Sequence, residues 1–183
     1  MVESAIVTPV LMLFVFGIFE FGFAFRHYLT VANTTRDAAR EASVAGKGFD
    51  ADYRVLRAVQ RGSAALPDDA IEQIIVWNAS GPDDTVPSDC VSSGSQADLC
   101  NAYNPAHYSV PAVQFGCQQT PDDDYDSPDR FWCPLDRKVS ISSDPDLDYV
   151  GVYIRITHEF ITGLFGEDMV FEDTMILRVE PQR

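Results

Sequence analysis

The sequence predicts an α+β protein: a long N-terminal hydrophobic and then amphipathic helix packed on a small antiparallel β-sheet, with a disulfide-stapled loop insertion. Three observations predict this fold. A helical pattern runs unbroken through the first quarter of the chain, two strand-like segments lie near its end, and all the cysteines fall in one acidic stretch. We expect the helix to occupy residues 1–48 and an extracytoplasmic globular domain to occupy residues 49–183.

The charge of the chain limits its partners. Its 183 residues include 28 Asp and Glu against 13 Lys and Arg, for a formal net charge of −15. Phosphate binding needs clustered cations, so this balance argues against a nucleic-acid partner. It also argues against docking of the folded part on an anionic lipid surface. The length suits one domain of ordinary size.

The first apolar segment is long enough to cross a membrane. Residues 5–25 contain one charged side chain, that of Glu20, and a helix of this length spans about 30 Å, the thickness of a bilayer's hydrocarbon core. A cleaved secretory signal is disfavoured because no cation precedes the run and no Ala-x-Ala site follows it. A buried helix of a soluble core is disfavoured because so long an apolar run exceeds what a domain of this size hides.

The charges around this segment give conflicting signals about its orientation. No cation precedes the run, and the first four that follow it are Arg26, Arg36, Arg40 and Lys47. The positive-inside rule would therefore place the C-terminal domain in the cytoplasm. The cysteines point to an oxidising compartment instead. Removal of a basic leader that once preceded Met1 would resolve the conflict, so we expect the chain to be a processed product.

Two glutamates stand out in this segment, because an ionised carboxylate in hydrocarbon is costly and usually has a partner. Glu20 lies six residues before Arg26, within snorkelling reach of the interface, so solvation among the headgroups is one interpretation. Glu3 stands at the start of the apolar run, where it favours the positive end of the helix dipole. Glu3 could also pair with an α-amino group, its own or that of a neighbouring subunit.

The helical pattern continues beyond the apolar run. Small and apolar residues recur at intervals of three and four residues as far as Ala45, with charged residues on the opposite helix face. Gly46-Lys47-Gly48 then predicts the C-terminal end of the helix. One helix should therefore run from near Ser4 to about Ala45. We expect Pro9 to bend or locally melt it, since proline removes a backbone hydrogen bond and clashes with the preceding turn.

The N-terminal motifs are those of a known family. They are Glu3-Ser4-Ala5, Thr8-Pro9, Gly17 to Gly22 (GIFEFG) and Arg36 to Ala42 (RDAAREA), and Met175 to Pro181 adds a closing strand. Together they resemble TadE-like pilins, pseudopilins of the tight-adherence (Tad) branch of type IV pili. The resemblance implies a filament subunit that is processed by a prepilin peptidase and assembled by inner-membrane machinery. In that family the key glutamate is the fifth residue of the mature protein, whereas here it is Glu3.

The globular domain should contain a short helix and three strands. The helix is predicted at 51–66, and the strands at about 71–78, 149–160 and 169–180. The last two strands are joined by a glycine-containing connection, which is typical of an antiparallel hairpin. We expect the first strand to pair with the hairpin, and the second half of the long helix and the short helix to cover the apolar face of the sheet.

The acidic loop at 81–148 holds all four cysteines and carries a net charge of −10. A loop this long should be disordered, functional or stapled, and we expect stapling. Four cysteines permit three pairings. We favour Cys90–Cys100 with Cys117–Cys133, because sequence neighbours meet most easily. A zinc site would need closely spaced pairs, and the gaps here are 10, 17 and 16 positions. Disulfides would place the domain outside the cytoplasm.

No other motif predicts a metal site or an active site. Calcium could bind the aspartates near position 124, but an EF-hand's glycine and glutamate are missing, so a solvated acidic loop is preferred. The weak calcium candidates are Asp122, Asp124 and Asp126. No nucleophile elbow, zincin pair or phosphate loop is present. We therefore expect neither an enzyme nor a bound cofactor.

Two functions fit these features. In the first, the protein is a pilin or minor pseudopilin whose helix leaves the inner membrane and packs among copies of itself or other pilins in a cell-surface pilus. Glu3 would then fix register by pairing with a neighbour, and Gly17 and Gly22 would permit close helix approach. The predicted assembly residues are Glu3, Pro9, Gly17, Glu20 and Gly22. In the alternative, the helix only anchors an extracytoplasmic binding or adhesion module that does not polymerise.

Overall fold

The computed structural model shows a long helix, a four-stranded sheet and a disulfide-linked insertion, which confirms the predicted fold class. It describes residues 2–117, 126–140 and 147–181, and only the backbone of residues 2–5. The helices are α1 (Val2–Ala45), α2 (Ala51–Gly62) and α3 (Ser88–Ser93), and the strands are β1 (Ile71–Ala79), β2 (Cys100–Tyr103), β3 (Tyr149–Glu159) and β4 (Asp168–Arg178).

The sheet is antiparallel, with strand order β2-β1-β3-β4. β1 and β3 are the two inner strands, and both faces of β3 are covered along most of its length. Alternate residues of β3 point toward the helices, namely Val150, Val152, Ile154 and Ile156. The period-two pattern of this strand thus fixes which face enters the main core.

The main core lies between the sheet and the second half of α1, with α2 beside it. Ala38, Ala39 and Ala42 of α1 are fully buried, as are Val55 and Val59 of α2. Alanine at these positions keeps the helix surface flat, so the helix axis can lie close to α2 and to the sheet. The second half of α1 is therefore an integral part of the domain.

A smaller cluster covers the opposite face of the sheet near the start of β3. It comprises Ile75, Trp77, Ala79 and Tyr153 together with the two cysteines of one disulfide. The indole of Trp77 lies flat over Gly151, where a Cβ atom would overlap the ring. Glycine at 151 is required by this close approach.

The Gly151→Ala variant tests that packing. The added methyl group forces Trp77 or the strand to move, which should destabilise the fold by about 1–3 kcal/mol. Urea unfolding of the full chain in detergent, followed by tryptophan emission, measures the change. Gly81→Ala is the matched control, because nothing lies within 4 Å of a Cβ at that position. Equal stabilities for the two variants would contradict the packing.

Residues 81–148 contain more regular structure than the loop predicted from their composition. The short helix α3 and the edge strand β2 lie in this stretch, each too brief to leave a periodic pattern. Disulfides join Cys90 to Cys100 and Cys117 to Cys133, the pairing favoured from sequence proximity. The first ties α3 to β2, so the insertion is held against the sheet rather than free in solvent.

A buried polar network fastens β2 and the described segment around Trp132 and Arg137 to α2. The carboxylate of Asp52 accepts hydrogen bonds from Asn101 at 2.9 Å, from the Tyr103 hydroxyl at 2.7 Å and from the Arg137 guanidinium at 2.5 Å. Asn101 also exchanges two hydrogen bonds with the backbone of Trp132. Burial and the nearby Asp52 charge raise the pKa of Tyr103 well above its ordinary value. Asp52 is thus the hub that connects α2, β2 and the segment around Arg137.

Arg137→Met should destabilise the fold by about 3–5 kcal/mol, because it leaves the Asp52 carboxylate buried without its cation. Both side chains of this pair are fully inaccessible. Arg54→Met is the matched control: its ion pair with Glu41 is part-exposed, and such pairs contribute about 0–1 kcal/mol. Urea unfolding of both variants makes the comparison. Similar losses for the two would contradict a special role for the buried pair.

Candidate assembly surface and its junction with the domain

The N-terminal part of α1 extends beyond the domain and exposes apolar side chains. All residues from 6 to 16 are exposed, including Phe14 at 64%, and Ile18 beyond them is 73% exposed. Within the described residues, α1 is the one helix long and apolar enough to cross a membrane. A water-soluble monomer would not leave so continuous an apolar surface uncovered.

The predicted assembly residues fall in different environments along this helix. Pro9 is exposed and lies inside α1, which is helical on both sides of it, so the missing proline N–H does not melt the helix locally. Gly22 faces open space. The side chain of Glu3 lies outside the described part of the structure, and its pairing stays a prediction.

The snorkelling interpretation supposed that the side chain of Glu20 reaches toward solvent. In the structure it does not. It is 1% exposed, and its carboxylate accepts hydrogen bonds from the backbone N–H groups of Ile161, at 3.0 Å, and Thr162. Both donors belong to the connection between β3 and β4, here called the hairpin tip (residues 160–166). The carboxylate therefore holds the hairpin tip against the apolar half of α1.

Aromatic contacts complete the attachment of the hairpin tip. The centroid of the Phe21 ring lies 5.1 Å from that of Phe165 and 6.3 Å from that of Phe160. A Cβ at Gly17 would come within 3.2 Å of the Phe165 ring. Gly17 thus makes room for the chain's own hairpin tip, while its predicted part in helix–helix approach stays a prediction.

Two histidines meet at His27, about two turns further along α1 than Glu20. His27 and His158 approach with their Nδ1 atoms 2.9 Å apart, so one nitrogen donates and the other accepts. His158 is buried at the end of β3 and contacts the Phe160 ring at 5.3 Å. This pair fixes the level on α1 at which the sheet ends.

The C-terminal end of α1 is anchored by a second set of hydrogen bonds. Ser43 donates its hydroxyl to the carbonyl of Arg178 at 2.6 Å, and its own carbonyl accepts the N–H of Glu180 at 3.0 Å. Contacts at Glu20, His27 and Ser43 therefore hold α1 to the sheet over most of the length of the domain. The second half of α1 is therefore packed as part of the domain.

The calcium candidates gain no support from the described residues. Asp122 and Asp124 lie outside them, and Asp126 forms an ion pair with Arg130 at 3.1 Å. Asp129 instead accepts backbone N–H groups of Gly116 and Cys117 at 2.7 and 3.0 Å, while burial raises its pKa. Among the described residues, no group of three or more His, Cys, Asp or Glu is placed to hold a metal ion.

The family comparison coincides with the exposed helix. Residues 1–40 match the family described as TadE-like protein. The N-terminal helix of this chain is thus similar to that of TadE-like proteins. This confirms the resemblance over those residues, whereas the likeness of the closing strand stays a prediction. No curated protein and no solved structure matches the chain.

Sequence reasoning found the TadE-like helix but missed what holds it to the domain. The donors to Glu20 are backbone N–H groups, which leave no mark in a sequence. His27 and His158 are 131 positions apart, and no local pattern connects them. An unpaired carboxylate in an apolar run was the one available signal, since such a group needs a partner.

Glu20→Ala should release the hairpin tip while the rest of the domain stays folded, because the two N–H groups lose their acceptor. Amide hydrogen exchange of the full chain in detergent should show faster exchange at Ile161 and Thr162 and unchanged exchange in β1. Asp37→Ala, an exposed change on the same helix, is the control. Unchanged protection at the hairpin tip in Glu20→Ala would contradict the proposed attachment.

Proposed function

We propose that this protein is a structural subunit, a pilin or minor pseudopilin, of an extracellular Tad or type IV-like pilus that assembles through α1. The observation that carries this proposal is the continuous apolar surface of the TadE-like helix, which projects from a fully packed domain. Enzymatic activity has no support, since the TadE-like pilin family is structural.

The exposed end of α1 suits transfer from a bilayer to a polymer. Burial of one large apolar side chain is worth about 1.5–3 kcal/mol relative to water, so this surface requires a cover at every stage. Lipid chains and neighbouring apolar helices are equally apolar, so the choice between them depends on packing. Because α1 is attached to its domain, the packing of α1 helices from neighbouring subunits would set the position of each subunit's domain in the filament.

The partners follow from this arrangement. Copies of the same chain or other pilins would surround α1 in the filament, after processing by a prepilin peptidase and handling by inner-membrane assembly machinery. The membrane would hold the subunit beforehand, and the cell surface would be its final location. The two disulfides support folding of the domain in an oxidising compartment. The net charge of −15 argues against direct capture of nucleic acid.

Fractionation of cells that produce the full chain distinguishes polymer from anchor. If the subunit polymerises, shearing releases it as long particles that sediment and are visible by electron microscopy. The alternative, a membrane-anchored binding or adhesion module, predicts recovery only with detergent and no particles. That second result would contradict the proposal.

Glu3→Ala should impair filament formation and leave the domain folded, because the carboxylate is proposed to pair with a cation or amine of a neighbouring subunit. The yield of sheared particles and the formation of both disulfides measure the two effects. Glu167→Ala, an exposed change directly after the hairpin tip, is the control. Normal filaments from Glu3→Ala would remove the pairing role.

A further inference from the structure

We propose that the hairpin tip is a second membrane-inserting element, which enters the outer part of a phosphatidylcholine-like bilayer beside α1 before assembly. This inference rests on the proposed membrane-held stage of the subunit. It concerns residues 160–166, between β3 and β4, and not the TadE-like helix itself.

The hairpin tip exposes apolar side chains that its own domain does not cover. Ile161 is 74% exposed, Leu164 57% and Phe165 39%. They stand next to the apolar half of α1, to which the tip is fastened through Glu20 and Phe21. The apolar surface of the helix is therefore continuous with that of the tip, and whatever covers the one meets the other.

The length of the free helix favours insertion of the tip. The apolar run begins after Glu3 and Ser4, and the tip already contacts α1 at Gly17. Only residues 5–16 precede that contact, and twelve residues of helix span about 18 Å. The hydrocarbon core is about 30 Å thick, so a complete span must include the stretch of α1 that the tip covers.

Charged residues mark the same level on both elements. Arg26 is the first cation after the apolar run of α1, and its neighbour His27 contacts His158 of β3. The next residue of β3, Glu159, pairs in the ladder with Asp168 of β4. Glu167 directly precedes Asp168, and its carbonyl accepts the N–H of Phe160. If Arg26 lies at the headgroups, these three carboxylates lie there too, and residues 160–166 extend into the bilayer.

The same geometry explains how Glu20 tolerates this depth. A carboxylate in hydrocarbon is costly, and hydrogen bonds to its oxygens reduce that cost. The hairpin tip supplies two backbone N–H donors and excludes lipid from the carboxylate, which is 1% exposed. The tip is thus inserted together with the residue that it shields.

Quenching by brominated lipid tests the proposal in the full chain reconstituted in phosphatidylcholine vesicles. Tryptophan is placed at the hairpin tip in Leu164→Trp and, separately, in Ile161→Trp. Phe14→Trp reports the apolar helix, and Val113→Trp, 69% exposed near the other end of the domain, reports solvent. The two native tryptophans are buried, and their emission is subtracted by using the unmodified chain.

We expect both tip variants to lose emission with lipid brominated near the headgroup end of the chains, and Phe14→Trp to lose emission with lipid brominated more deeply. Val113→Trp should be unaffected by either. Tip variants that behave like Val113→Trp while Phe14→Trp is quenched would overturn this inference and leave the membrane-held stage intact. Absence of quenching in Phe14→Trp would overturn that stage, and this inference with it. A tip covered by a second copy of the chain would give the first of these two contrary results.

Discussion

The exposed apolar end of α1 is the constraint on which the rest of the structure depends. Its side chains are stable in lipid or against other apolar helices, and unstable in water. This surface is confined to one end of α1 and the adjoining hairpin tip, apart from the rest of the acidic domain. Every other described feature either holds that helix in a fixed direction or keeps the domain folded around its second half.

One helix serves two purposes because its composition changes along its length. Large apolar residues dominate as far as Phe25, whereas the packed second half presents Ala38, Ala39 and Ala42 to the core. Small residues there let α2 and the sheet approach closely. Glu20 and the His27–His158 pair lie where the two halves meet, so the junction is polar and specific rather than a flexible hinge.

The parts of the fold that were predictable are those encoded locally. The alternation from Val150 to Ile156 reveals β3 because one face of the strand is buried, and the proximity of Cys90 to Cys100 favours their disulfide. The Asp52–Arg137 pair joins residues 85 positions apart and leaves no periodic signal. The same holds at the site: the apolar helix was evident, whereas the shielding of Glu20 depends on backbone atoms brought there by the hairpin.

Thiol crosslinking on intact cells tests most directly whether neighbouring copies cover the apolar end of α1. All four native cysteines are in disulfides, so Phe14→Cys introduces a single free thiol on the exposed surface. A short apolar bis-maleimide reagent joins only thiols of adjacent subunits. The account predicts a dimer from Phe14→Cys in sheared particles, and none from Val113→Cys at the far end of the domain. A monomer alone from Phe14→Cys, with the thiol fully labelled by the reagent, would contradict it.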